Sequence, residues 1–566
     1  KTKTPFWKMM HLRRTAANLI KKFQPPSRPS SSISTYPPRP VPGKPRYPKK
    51  CGAERSGGRM PGRDSHLWRI VVVQAAITLG IDANLAFADT SPESTAEEVQ
   101  EDATTSGLRR VEDGSVTSNE HTIKWRIFTD SGREHFMQGK LEDAEKLFVA
   151  AISEAKEGFG ERDAHVASAC NNLAELYRIK KDFDKAEPLY LQAISILEES
   201  FSPDDIRVGA ALHNLGLFYL LRHKMDEARR CYERALKIKG RVLGHNHLDY
   251  ADTMYRLGTV LYLEGKVKDA AALIQDSIDI LEGAGEGESI TCMRRLRYLA
   301  QIYTRSHRLQ EAENVQRKIL HILELLKGWD SLETVIAAEA LSLILQSEGK
   351  LLEAREFFDR CLDARKSILP AGHLQIGTNM LHIAKVIIMH SDLLRQIPIS
   401  EAVAELEKAK DYLNASIRIA GQVLVKCRKQ KKQQKGSPSE ETLKEGRAAL
   451  AILLQSLEAL SRLEITRQQL VESEDDFSPS MQSEKELLRC ISAFKEFENE
   501  GSFTDAPEVK MEYLSCLKHL LNLVSSDKAT DDSRRARILE LNKTIKQVES
   551  DLVRCGDHKS TAGPGT

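Results

Sequence analysis

Alanine stands at residues 144, 186, 228, 270, 312 and 354, six times at a spacing of 42. A second small-residue series keeps step twelve positions earlier: Gly132, Ala174, Gly216, Gly258, Ala300 and Ser342. Two such series in register mark a solenoid, in which each unit buries its apolar face against its neighbours. This constrains the centre of the chain to a stack of like units. Such stacks bind other proteins far more often than they catalyse.

Each unit reads as two helices. In the second unit, residues 168–180 make helix A, Lys181 to Phe183 turn the chain, and residues 184–200 make helix B. Leu173, Leu176 and Tyr177, then Leu189, Tyr190, Ile194 and Leu197, recur at helical spacing. Ala174 and Ala186 let A and B approach closely, and larger side chains there would overpack. Phe148, Tyr190, Tyr232 and Phe358, each four residues after its alanine, should plug the gap to the next unit. Glu401-Ala402 falls 48 residues after Glu353-Ala354, which suggests a degenerate seventh unit over 378–425 with an insertion near Arg395–Ile399. Residues 426–440 read as a basic polar linker. Residues 441–473, 482–498, 508–524 and 532–554 then return to helical periodicity. They form a C-terminal helical region (441–556) that caps the last apolar face, before a disordered tail at 557–566.

The repeat resembles the tetratricopeptide repeat. Helix A carries Leu-Ala or Leu-Gly (Leu173-Ala174, Leu215-Gly216, Leu257-Gly258, Leu299-Ala300), with Tyr177, Tyr219 and Tyr303 three residues after the small position. The long period and the segments 170–177, 211–219 and 243–251 are similar to the kinesin light chain variety. The likeness covers about residues 125–377, read as six repeats. It implies an all-α, right-handed superhelical solenoid of antiparallel helix pairs whose A helices line a concave, peptide-binding groove. Positions two before the small residue, Asp130, Asn172, Asn214, Arg256 and Tyr298, are expected to face that groove. Asn171, His213, Tyr255 and Arg297 lie beside them, with Arg133, Arg178 and Arg305 further along. Asparagine can bond an extended backbone through donor and acceptor, and arginine clamps carboxylates bidentately. The sequence departs from kinesin light chains in having no heptad run before the repeats.

What stands there instead reads as an address. Residues 1–88 carry a net charge of +14, and the rest of the chain −12. Residues 1–24 include a basic, acid-free amphipathic stretch (Leu12, Ala16, Leu19 and Phe23 on one face), the pattern of an organellar presequence. A Pro/Ser/Gly-rich linker follows at 25–62. Residues 63–88 hold a short apolar run (70–81) and end in Ala86-Phe87-Ala88, suited to cleavage or sorting; 89–124 is an acidic linker. The expectation is a mitochondrial protein, with the chloroplast and its thylakoid lumen as the alternative. The apolar run leaves peripheral membrane association open.

Nothing in the sequence points to chemistry. The acidic body is a poor match for nucleic acid, whose phosphates select basic surfaces. No phosphate-cradling or zinc-protease motif occurs. His245, His247 and His373 fall in inter-unit loops, without Cys or carboxylates at metal-ligand spacing, and read as structural. The nine widely spaced cysteines read as reduced thiols rather than a disulfide framework. The sequence therefore predicts a non-catalytic adaptor without cofactor or metal, holding a protein or extended peptide. The rivals are a cytosolic kinesin light chain-like cargo or cytoskeletal adaptor, and an enzyme with its site in the C-terminal helices.

Overall fold

The computed structural model describes residues 119–390, 395–433, 439–471, 481–498, 503–526 and 532–561. The chain divides into two compact units, 1–63 and 64–566, and all described residues belong to the second. The leader, the Pro/Ser/Gly-rich linker, the sorting segment and residues 89–118 of the acidic linker lie outside the described residues.

Eighteen helices and no strand occur among the described residues. Seven pairs make the array: α1 (Glu120–Met137) with α2 (Leu141–Phe159), α3 (Ala164–Ile179) with α4 (Phe183–Ser200), α5 (Ile206–Leu221) with α6 (Met225–Val242), α7 (Leu248–Leu263) with α8 (Val267–Gly283), α9 (Ile290–Arg305) with α10 (Leu309–Lys327), α11 (Leu332–Glu348) with α12 (Leu351–Ile368), and α13 (Leu374–Met389) with α14 (Ile399–Gln433). Each helix packs on the one before it and the one after it, the arrangement of an all-α solenoid. Four further helices follow: α15 (Glu440–Val471), α16 (Met481–Glu498), α17 (Pro507–Ser526) and α18 (Asp532–Thr561).

The period is written into every punctuation mark of the backbone. The N-caps of α3, α5, α7, α9, α11 and α13 are Asp163, Asp205, His247, Ser289, Ser331 and His373, again 42 apart. Each side chain accepts a backbone N–H of the first turn, satisfying a donor the helix cannot. In the first six pairs the residue just before the B helix's cap is left-handed: Gly139, Lys181, His223, Gly265, His307 and Gly349. The residue after each donates its N–H back to the helix, as Asp182 does to the Tyr177 carbonyl at 2.9 Å and Lys224 to that of Tyr219 at 2.9 Å. These six-to-one bonds close the helix and aim the chain into B.

The small series works as expected. All six alanines are 0% exposed. A Cβ on Gly132 would sit 2.7 Å from the Phe148 ring, and one on Gly216 would sit 2.9 Å from the Tyr232 ring. The plugging aromatics thus press first on the A helix of their own unit. Tyr190 also reaches the next unit, with its ring 5.5 Å from Phe218.

Several features differ from the sequence reading: α1 begins at Glu120, inside the stretch read as an acidic linker, and α18 runs to Thr561, into the tail read as disordered. Helix α14 runs on to Gln433 through the first half of the segment read as a linker, because Cys427 is fully buried there and Arg428 pairs with Glu496 of α16 at 3.1 Å. Cys490 and Cys516 are joined as a disulfide, against the expectation of thiols throughout. Antiparallel packing of α16 on α17 brings their Cα atoms to 6.5 Å although 26 residues separate them in sequence, so spacing alone gave no sign of it. Cys170, Cys231, Cys292, Cys361 and Cys427 are free.

Candidate functional site

Successive A helices meet through residues 43 apart, one period plus one. Asn214 Nδ2 donates to Asn171 Oδ1 at 3.1 Å. Arg295 Nη2 donates to Asp252 Oδ1 at 3.2 Å. The rings of Tyr255 and Tyr298 meet edge to face at 6.0 Å, and Arg305 Nη1 lies 3.5 Å from the Tyr262 hydroxyl. These rungs join the A helices of the second and third units and of the fourth and fifth units.

The residues expected in the groove divide between its surface and its interior. Arg297 is exposed, and Asn171 and Asn214 are half-buried and bonded to each other. The other six, Asn172, Arg178, His213, Tyr255, Arg256 and Tyr298, are buried. The expected register is one position off in the second and fifth units: the open place is three before the small residue, at Asn171 and Arg297. Asn172 is 1% exposed, and neither atom of its amide has a hydrogen-bond partner. It turns inward because helix A is covered by helices on both sides. Arg178 is held by Glu175 at 2.8 Å, within a buried pair that also takes the Tyr190 hydroxyl. Asp130 is exposed, Arg133 half-buried.

Between the third and fifth units the A-helix wall is strongly charged. His213 Nε2 lies 3.3 Å from Asp252, and Arg295 closes on the same carboxylate. Lys239 is buried behind them and donates to Thr253 at 2.9 Å. Burial alone would raise the Asp252 carboxyl. Arg256, His213, Arg295 and Lys239 outweigh that and hold it below the usual range. Burial depresses Arg295, with Asp252 opposing. Three tyrosines floor this region: Tyr298 packs edge to face on Tyr262 at 5.9 Å as well as on Tyr255. Helix α9 also carries Arg294, Arg297 and Arg305, of which only Arg297 is fully exposed. Asp252 and Arg295 were not singled out from the sequence. Their signal was the 43-residue offset, which only the packing of A on A reveals.

His247 and His373 act as N-caps, each accepting through Nδ1, from Asp249 N at 3.1 Å and Gln375 N at 3.3 Å. Equivalence to Asp163, Asp205, Ser289 and Ser331 at the 42-residue step was the available clue. Among the described residues no group of three or more His, Cys, Asp or Glu is placed to hold a metal. No described helix is long and apolar enough to cross a membrane.

A family model described as tetratricopeptide repeat matches residues 132–199 and 207–283. No curated protein matches the chain. Among solved structures, a putative kinesin light chain with TPR-like repeats from Podosopora anserina is similar at 18% identity, over 37% of this chain and 99% of that one, with a TM-score of 0.34. BtubC (BKLC) from P. vanneervenii is similar at 16% identity, over 54% and 92%, with a TM-score of 0.21. The quorum sensor NprR from B. thuringiensis is similar at 14%, over 76% and 98%, with a TM-score of 0.37.

Proposed function

We propose that this chain, which belongs to the tetratricopeptide repeat family, is a non-catalytic adaptor that holds an extended, acidic segment of a partner protein along its A-helix wall. The observation that carries the reading is Arg297, exposed on α9 beside Tyr298 in sequence and two residues from Arg295, which binds Asp252. Tyrosine and arginine dominate binding hot spots because they combine large contact area with directed polar bonds. An arginine on the surface of a unit whose inner cations already satisfy Asp252 can offer its fork to a carboxylate from outside. Asn214 and Asn171, two and three units away, supply amide groups to a peptide backbone.

The test is fluorescence anisotropy of the full chain with a library of extended peptides graded in acid content. Arg297→Glu should weaken the acidic binders roughly tenfold or more, because a charge-assisted bond contributes about 1.5–3 kcal/mol and repulsion replaces it. Asn171→Ala with Asn214→Ala should lower affinity regardless of acid content. Binding that ignores acid content in both proteins rejects the reading.

The proposed compartment is the mitochondrion. Its support is the basic amphipathic stretch at 10–23 and the apolar run at 70–81. A reporter fused behind residues 9–88 should enter that organelle; accumulation in chloroplasts selects the alternative, and a cytosolic reporter rejects an organellar address.

A further inference from the structure

We propose that the contact between the last A helix, α13, and the C-terminal helices is a proton-responsive latch, closed by a hydrogen-bonded relay from Lys385 through Gln455 to Glu512. The relay crosses three helices. Lys385 Nζ of α13 donates to Gln455 Oε1 of α15 at 3.2 Å, and Gln455 Nε2 donates to Glu512 Oε1 of α17 at 2.8 Å. Gln455 is 2% and Glu512 4% exposed. One side-chain amide thus spends its acceptor on the array and its donor on the C-terminal bundle, as a buried polar group requires.

The charges facing Glu512 are known from each neighbouring helix. From α13 comes Lys385; from α15 come Glu458 and Arg462. On α17 itself His519 lies 3.3 Å from Glu458, and Arg462 closes on the same carboxylate at 2.7 Å. From α16 the carboxylate of Glu498 acts on Tyr513, next to Glu512. Glu549 of α18 pairs with Lys518 at 2.7 Å on the outer side. The two buried carboxyls are therefore treated differently. Burial alone would raise Glu458, but His519, Arg462 and Lys385 hold it down at about 2. For Glu512 burial outweighs the pull of Lys385, Gln455 and Arg462, with Glu458 adding repulsion, and pushes it up to about 7. Burial also depresses Lys385, against the pull of Glu512 and Glu458.

The sign follows from linkage. Glu512 binds its proton more tightly when the latch is closed than when it is open and solvated. The closed state is therefore favoured at low pH, and that advantage is lost as pH rises from the open-state value near 4.5 through about 7. No covalent step is involved; one proton leaves the Glu512 carboxyl to solvent as pH rises.

Hydrogen exchange of the full chain, corrected for intrinsic rates, reads the latch directly. Between pH 6 and 8 the protection of α17 and of the facing residues of α15 should fall about tenfold, the change expected of one carboxyl with those two values, while α3 to α6 stay constant. Glu512→Gln should keep the pH 6 level at both pH values. Lys385→Met should leave the pH dependence and steepen it. Flat protection of α17 in the unchanged protein overturns the proposal, as does a Glu512→Gln protein that follows it with pH. If Glu512→Gln does not fold, an unchanged slope in Lys385→Met overturns the relay by itself.

Discussion

The repeat array and the C-terminal bundle are both all-helical, yet they are held together by different means. In the array one solution is applied again at 42-residue steps: a side-chain N-cap, a left-handed turn residue and a small residue under a larger side chain, as Gly132 under Phe148, Gly216 under Tyr232 and Gly258 under Ile274, with rungs from A helix to A helix between some units. Each contact is local, so stability sums over neighbouring pairs. In the bundle nothing recurs. Two helices of 32 and 30 residues, α15 and α18, flank a shorter pair, and the fastenings are single: one disulfide, one relay, and Phe503 pressed against Gly446 where no Cβ fits. Repetition spreads stability over many small contacts. A unique fold concentrates it.

The array nevertheless contains concentrated contacts, and breaking the most deeply buried gives the largest expected effect. Glu339 of α11 and Arg365 of α12 are both 0% exposed and joined by two parallel bonds, at 2.8 and 2.6 Å. Asn379 of α13 accepts from the same guanidinium. Glu339→Ala leaves a buried cation uncompensated and should destabilise the sixth and seventh units by about 3–5 kcal/mol. Replacing both with Leu and Met should recover most of that loss. Chemical denaturation followed by exchange in α11 to α13 measures it. A loss shared equally by α1 to α4 would show that the array unfolds as one block and would remove the contrast drawn above.

The next effect lies in the bundle. Cutting the Cys490–Cys516 loop, with its separation of 26 residues, removes a constraint worth about 3 kcal/mol in the chain-entropy view. Cys490→Ala with Cys516→Ala, or full reduction, should lower the melting of α15 to α18 and leave α3 to α10 as they were. Both sulfurs are buried, so reduction should require local opening and be slow. An unaltered melting profile after complete reduction, verified by mass, would mean that packing alone holds α16 to α17.

How much was legible in the sequence follows the same division. The helix pairs, the alanine register and the C-terminal helices could be read because period and amphipathicity are local properties. The groove was readable only to within one position. Asn172 and Asn171 are neighbours on one helix, and which of them turns inward depends on how far α5 rotates against α3, which no single helix reveals. Asp252 with Arg295, the Gln455 relay and the disulfide are long-range pairs, and without an in-phase partner each residue looked ordinary. His247 and His373 are the instructive exception. Their phase with four Asp and Ser caps was visible, but histidine is an uncommon cap and its role emerged only from the geometry.

Those two caps give the smallest and most selective test of the array's uniformity. A cap made by histidine accepts through Nδ1 and so exists only while that nitrogen is unprotonated, whereas a serine cap has no such condition. Burial lowers His373, with Glu445 opposing and Arg365 and Lys426 assisting, so the folded helix favours the neutral ring. A base depressed on folding contributes stability that is present above its ordinary value near 6.5 and is lost as pH falls through the lower folded value. Between pH 7.5 and 5.5 the first turn of α13, read at the amides of Gln375 and Ile376, should therefore lose up to about 1 kcal/mol of protection, the usual contribution of a cap. The first turns of α9 and α11, capped by Ser289 and Ser331, should not change. His373→Ser should hold protection flat across that range, and His373→Ala should be low throughout. If the serine variant keeps the slope, the acid sensitivity belongs to another group, and the six caps are equivalent after all.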